Sequence, residues 1–236
     1  MPIHRPDGSR SRSPALSAGD TGAPSAIASV RGRGSVRAWG GPVCDGGEMS
    51  RLPDLDPLQF TEAQGRLASD LANRPEVQAN GIVGPFAAWM HAPALGEPLA
   101  ALGTGIRFGA SLPANATEVA ICTTATFYGS SFEASAHQPL ALRAGVDGAA
   151  LGRLFAGDEP GFEGDDAAAH AVASELLRTH RISDAAHADA VARFGSQGVV
   201  ELVTTVGYYA LNALLLNGFE IPLAPGMDDP LAGSPG

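Results

Sequence analysis

An all-α fold, a bundle of helices without a sheet, is what the patterning of this chain predicts. Apolar residues recur at spacings of three and four, Pro, Ser and Asp stand where helices would start, and Gly stands where they would stop. No stretch shows the alternation of a half-buried strand.

The elements follow in order. Asp56-Pro57 supplies an N-cap and a Pro at the first helical position, after which Leu67 and Leu71 share one face. Pro85 to His91 has the length of a short helix. Pro93 opens another, in which Leu95, Leu99, Leu102 and Ile106 repeat at spacings of four, three and four. Pro113 restarts the chain for a helix over 114–127, which Gly129 breaks. Ser130 begins the next, to about Ala144, and Gly145 closes it as a left-handed cap. Helices near 147–156, 165–180 and 184–194 come next, with Asp165 or Asp166 and Ser183 as caps and Gly195 as a stop. The most apolar helix spans about 197–217. Pro222 and Pro225 then end regular structure, and the final residues are expected to fray. Internal repeats, a Gly-rich phosphate loop and an H-E-x-x-H metal motif are missing from the sequence.

Composition divides the chain. Residues 1–48 are rich in Gly, Ser, Arg and Pro, have no periodicity, and read as a disordered extension whose Arg- and Ser-rich character also resembles a transit peptide. Met49-Ser50-Arg51 looks like a natural start, giving one helical domain over 49–226 and a disordered tail over 227–236. The formal charge is −10, and every basic side chain is Arg. Six of the 15 Arg and four of the 25 acids fall in the extension, so the rest of the chain is strongly acidic. Such a surface repels phosphate backbones and anionic lipid, which argues against nucleic-acid and membrane partners. The run Gly198 to Leu216 is apolar, but Glu201 in mid-span is costly in lipid, so it reads as a buried soluble helix. Two distant cysteines, Cys44 and Cys122, offer neither a CxxC pair nor metal-ligand spacing, and Cys122 reads as a buried inert thiol. With no secretory signal pattern, a cytoplasmic location is expected.

The chemistry concentrates in Glu118 to His137. Glu133 and His137 stand four apart and share a helix face, with Ser130 on that face one turn earlier. Glu118 lies on the preceding helix and meets them if the chain folds back at Gly129. Two carboxylates, an imidazole and a hydroxyl would then converge in a crevice lined by Ala, Val and Ile. Such a cluster manages protons, because burial raises a carboxyl pKa and a neighbouring acid raises that of an imidazole. The competing reading is a solvated Glu/His pair on a helix surface.

The spacing of Glu118, Ser130, Glu133 and His137 resembles the signature stretch of the carboxymuconolactone decarboxylase and AhpD-like superfamily. Gly84-Pro85-Phe86, His91-Ala92-Pro93, Gly105-Ile106-Arg107, Leu112-Pro113, Ala144-Gly145-Val146 and Gly207-Tyr208-Tyr209 extend the resemblance over most of residues 50–225. It implies an AhpD-like helical bundle, a homotrimer or homohexamer, and a decarboxylase working by general acid-base catalysis on a small carboxylated lactone. No metal and no cofactor are implied. His137, Glu133 and Glu118 are the implied acid-base group, with Arg107 and His91 as candidates to grip a carboxylate or an oxyanion, and Ser130 and Tyr208 beside the substrate. Peroxidase-type relatives carry cysteines where this chain has Ser130 and Glu133, which argues against thiol peroxidase activity. Decarboxylase-type relatives often carry a Glu-Trp pair and a Glu-Trp-Trp run; here Phe127-Tyr128 and Glu133-Ala134-Ser135 stand instead, implying a reshaped pocket. A non-catalytic binding or scaffold member of the fold is the remaining alternative.

Three further readings concern single elements. Glu201, Thr205, Tyr208 and Asn212 form a polar stripe on the last helix, lining a cavity or, preferably, a seam between subunits. His170, His180 and His187 are expected to be exposed on acid-rich helices. His91 and Arg107 have bland alternatives, a helix-end histidine and a surface charge.

Overall fold

The computed structural model describes residues 50–233, all helix, turn and loop, with no strand among the described residues. The expectations for residues 1–48 and Cys44 lie outside the described residues. Proline opens three short helices in succession, α2 (Pro75–Asn80), α3 (Pro85–His91) and α4 (Pro93–Thr104), each with Pro in its first turn, where its missing N–H costs nothing. The helix before them, α1 (Glu62–Leu71), starts later than Asp56-Pro57 predicts. Asp56 caps only a 3-10 turn, Pro57–Gln59, and α1 is begun by a capping box between Thr61 and Gln64. Gln64 also donates from Nε2 to the Met90 carbonyl at 3.0 Å, tying α1 to the end of α3.

The apolar repeat on α4 faces both ways. Ile106 is buried and Leu99 partly so, but Leu95 and Leu102 face solvent. The inward face carries Gly96, Ala100 and Gly103 instead: α1 and α3 crowd Gly96, and Tyr208 crowds Gly103. A Cβ on Gly96 would collide with Leu67 and Trp89. A π-helical turn, Gly105–Gly109, then leads to α5 (Ala114–Tyr128).

Helix α5 is the axis of the fold. Ten consecutive residues, Ala116 to Ala125, are buried, so it is covered on every side. Its residues are mostly Ala, Thr and Val, which lets α6 (Ser131–Arg143), α8 (Gly164–Thr179) and α9 (Asp184–Gly218) pack around it, with α7 (Gly148–Phe155) against one end. The Thr124 hydroxyl, fully buried, donates to the Ala120 carbonyl at 2.7 Å and so carries no unmet bond into the core. One apolar cluster surrounds α5 with α6 to α9; a second joins α1 to α4 to Ile121, Tyr208 and Tyr209.

Asp147 and Ser183 cap α7 and α9. Asp165 and Asp166 do not cap α8: they lie in its first turn, after Glu163. Gly195 (φ 67°, ψ 172°) leaves helical geometry, as its reading as a stop predicts, so α9 is two helical arms that meet at a kink there. The arm beyond the kink is long and apolar enough to cross a bilayer, yet half of its most apolar window is buried in the chain. Residues 227–233, expected to fray, make fixed contacts: Ser131 donates to Asp229 at 2.9 Å, and Leu231 packs on the α5 cluster.

Candidate active site

The turn at Gly129 decides where Glu118 goes. Gly129 adopts the left-handed conformation (φ 60°), its N–H donates to the Thr126 carbonyl, and the Ser130 N–H donates to the Ala125 carbonyl at 2.8 Å. This closure reverses the chain and lays α6 beside α5. Glu118 on α5 and Glu133 and His137 on α6 thereby meet in the interior, all three under a tenth exposed.

His137 sits between the two carboxylates. Its Nδ1 lies 2.7 Å from Glu118 Oε2, and its Nε2 lies 3.5 Å from Glu133 Oε2. With Glu118 ionised, Nδ1–H donates to it and the ring is held in one orientation. The Tyr209 ring meets the imidazole edge-on, centroids 4.9 Å apart, and blocks the other route of rotation. Glu133 is the weaker-held acid: its Oε1 has no hydrogen-bond partner among the described residues. Burial pushes the Glu133 carboxyl up to about 7, against the pull of His137 and Arg107 and with a further push from Glu118. Near neutral pH this group exists in both forms, as a proton donor or acceptor requires.

The other expected residues are placed unequally. Ser130 is fully buried at the head of α6, three residues before Glu133, with its hydroxyl unpartnered among the described residues. The Tyr208 phenol is pushed up to about 12, chiefly by burial, while a hydrogen bond from the Asn212 side chain opposes the shift. Its ring packs on Trp89 and Tyr209. Arg107, in the π-helical turn, pairs with Glu76 at 3.1 Å and stacks over Phe108. Its charge is felt at Glu133, Tyr208 and Tyr209, yet one edge of the guanidinium is already taken. His91 is half-buried at the end of α3, and no hydrogen bond or ion pair among the described residues ties it to the cluster. Cys122 is fully buried, and burial, then Glu118 and Glu133, pushes its thiol up, which keeps it protonated and unreactive.

Two expectations need correction. The stripe on α9 faces the interior of its own chain rather than a seam between subunits. Glu201 accepts from Ser111 N, Ser111 Oγ and Leu112 N, all at 2.9 Å, and so ties down the loop before α5; Thr205, Tyr208 and Asn212 are buried above it. His170 is not exposed: its Nδ1 lies 3.1 Å from the Thr123 hydroxyl and Phe162 covers its ring, while His180 and His187 do face solvent. Phe127 lines a cleft beside His170, away from Glu118, Glu133 and His137. Tyr209, Trp89 and Glu76 take part in the site without having been singled out from the sequence. Glu76 directly follows Pro75 in the first turn of α2, and no motif in the sequence surrounds it.

No family model matches the chain, and no curated protein matches it.

Proposed function

We propose that this chain is a cofactor-independent carboxy-lyase of the carboxymuconolactone decarboxylase type, acting on a small carboxylated lactone. The observation that carries the reading is His137 held between Glu118 and Glu133 in the buried interior, with the Glu133 carboxyl pushed up to about 7. In such a lactone the leaving carboxylate sits on the carbon γ to the carbonyl. Its C–C bond breaks, carbon dioxide departs, and the electron pair moves through the double bond to the carbonyl oxygen as a dienolate. The substrate is its own electron sink, so the protein's tasks are grip, stabilisation of the oxyanion and return of a proton to carbon.

His137 is assigned the proton delivery. The distances favour Glu118 as the partner that orients the ring and Glu133 as the acid that exchanges a proton with Nε2 or the substrate. Ser130 and Tyr208 supply hydroxyls beside Glu133. Arg107 can bind a carboxylate only through the guanidinium edge that Glu76 leaves free, and His91 would reach the substrate only from the rim. The small-molecule substrate is the sole partner class assigned besides further copies of the chain; the acidic surface disfavours nucleic acid and anionic lipid, and a cytoplasmic setting accords with the free thiol at Cys122.

Assembly into a homotrimer or homohexamer belongs to the same reading. The long arm of α9 exposes Val200, Val203, Leu211 and Leu214, an uncharged face with Gly207 at its centre, which suits a second copy packed closely.

A second reading has an observation of its own. Neither the cleft beside Thr123 and His170 nor the one beside Phe132 and Asn217 is lined by Glu118, Glu133 or His137, and all three are buried in the single chain. A buried Glu-His-Glu group of this kind also serves as a polar core in a protein that binds without reacting. Incubation of purified protein with carboxylated butenolides, following carbon dioxide release, separates the two. Release that vanishes in His137→Ala supports the lyase; binding without release supports the second.

A further inference from the structure

On the opposite side of α5 from Glu118, a cleft of about 300 Å³ opens between α5, α7 and α8. That volume is enough for a small metabolite. The floor is apolar, formed by Leu154 and Leu177. One wall is polar, where the His170 ring lies against the Thr123 hydroxyl at 3.1 Å with the Ser174 hydroxyl beside it. The rim carries opposite charges, Arg178 from α8 and Glu159 from the loop after α7, and the half-exposed ring of Phe127.

The two charges are what define the occupant. Both are near enough to act on His170, Glu159 raising and Arg178 lowering its pKa, yet burial dominates and holds the imidazole neutral at pH 7. Arg178 and Glu159 do not pair with one another, and neither forms an ion pair among the described residues. A cation and an anion facing one cleft without meeting are satisfied together by a molecule that carries the complementary pair. An anion alone would meet Glu159, and a cation alone would meet Arg178. Phe127 adds an aromatic face that attracts an ammonium.

We infer that this cleft is a binding site for a small zwitterion, an α-amino acid with an apolar side chain. Its carboxylate lies on Arg178, its ammonium on Glu159 and Phe127, and its side chain on Leu154 and Leu177. The site is separate from the buried Glu118, Glu133 and His137 and does not depend on the lyase reading.

The probe is L-leucine, titrated into the full chain while the His170 imidazole signal is followed by NMR, with His170→Gln used to assign that signal. Leucinamide, which lacks the carboxylate, and 4-methylpentanoate, which lacks the ammonium, are the matched controls. Each is expected to bind at least about tenfold more weakly than leucine, the factor for one lost charge-assisted contact. Arg178→Gln should weaken leucine about as much while leaving leucinamide unchanged, and Glu159→Gln should do the converse with 4-methylpentanoate. Both residues are exposed, so neither variant threatens the fold. Glu133→Gln should leave leucine binding intact. The inference is overturned if leucine binds no better than either control, if Arg178→Gln weakens leucine and leucinamide equally, or if no titration moves the His170 signal.

Discussion

The Glu118 carboxylate and the His137 ring, nineteen residues apart in sequence, meet at 2.7 Å between the two helices that the Gly129 turn folds together. With Nδ1–H donating to Glu118, Nε2 is left to face Glu133. His137→Ala is therefore expected to lower carbon dioxide release from a carboxylated lactone by at least about a hundredfold, the range for loss of a general acid. Glu118→Gln keeps a hydrogen-bonding side chain and removes the charge; it should lower kcat by a smaller factor with little change in KM, because Glu118 acts through His137. Near-normal turnover in His137→Ala removes the imidazole from the mechanism.

Glu133 makes stability depend on pH in a defined direction. Its folded carboxyl titrates at about 7 against an ordinary 4.5. Below about pH 4.5 both folded and unfolded chains hold the proton and the group is neutral in the balance. As pH rises from there to 7 the unfolded chain releases its proton while the folded chain keeps it, so stability is lost, by about 3 kcal/mol above pH 7. Glu133→Gln abolishes this titration, so its melting temperature relative to the parent should rise between pH 4 and pH 8. The same relative melting temperature at both pH values would show that Glu133 is not the buried acid described.

Much of this site was legible in the sequence, and the limits have physical causes. The Glu133-His137 spacing is local helix geometry, and the fold-back of Glu118 follows from a Gly that adopts φ 60° at the turn without steric cost. Tyr209 and Trp89 arrive from distant elements by tertiary packing, which no spacing encodes. Helix starts marked by Pro85, Pro93 and Pro113 fell where their chemistry put them. The face of α4 did not, since Leu95 and Leu102 have the right period but Gly96 and Gly103 win the close contact with Trp89 and Tyr208. Helix α2, six residues long, is too short to show a period at all.

Gly103 gives a prediction of inverted sign. Gly to Ala within a helix usually stabilises by about 0.5–1 kcal/mol through backbone entropy. Here a Cβ would fall on the Tyr208 hydroxyl, well inside van der Waals contact. Gly103→Ala should instead destabilise by about 1–3 kcal/mol, the cost of overpacking, read from urea unfolding. Tyr208→Phe in the same chain removes the clashing oxygen and should recover part of that loss. Additive effects of the two substitutions would mean that helix α4 moves rather than Tyr208.

The exposed face of α9 tests the assembly. Val200, Val203, Leu211 and Leu214 fall on one side at helical spacing, with no charge among them, and they lie opposite the buried residues Leu202, Val206, Tyr209 and Ala213 that hold the helix to its own chain. A substitution there consequently disturbs contacts outward and leaves the core untouched. Leu211→Glu and Leu214→Glu would set like charges against one another wherever two copies share this face, and burying an unpaired carboxylate is costly. The parent chain is expected to sediment as an oligomer, each variant at a lower mass, and the helical circular dichroism of all three to match. A parent that sediments as a monomer at tens of micromolar would end the proposal of a homotrimer or homohexamer through this face, while leaving the Glu118–His137–Glu133 chemistry to be judged by turnover alone.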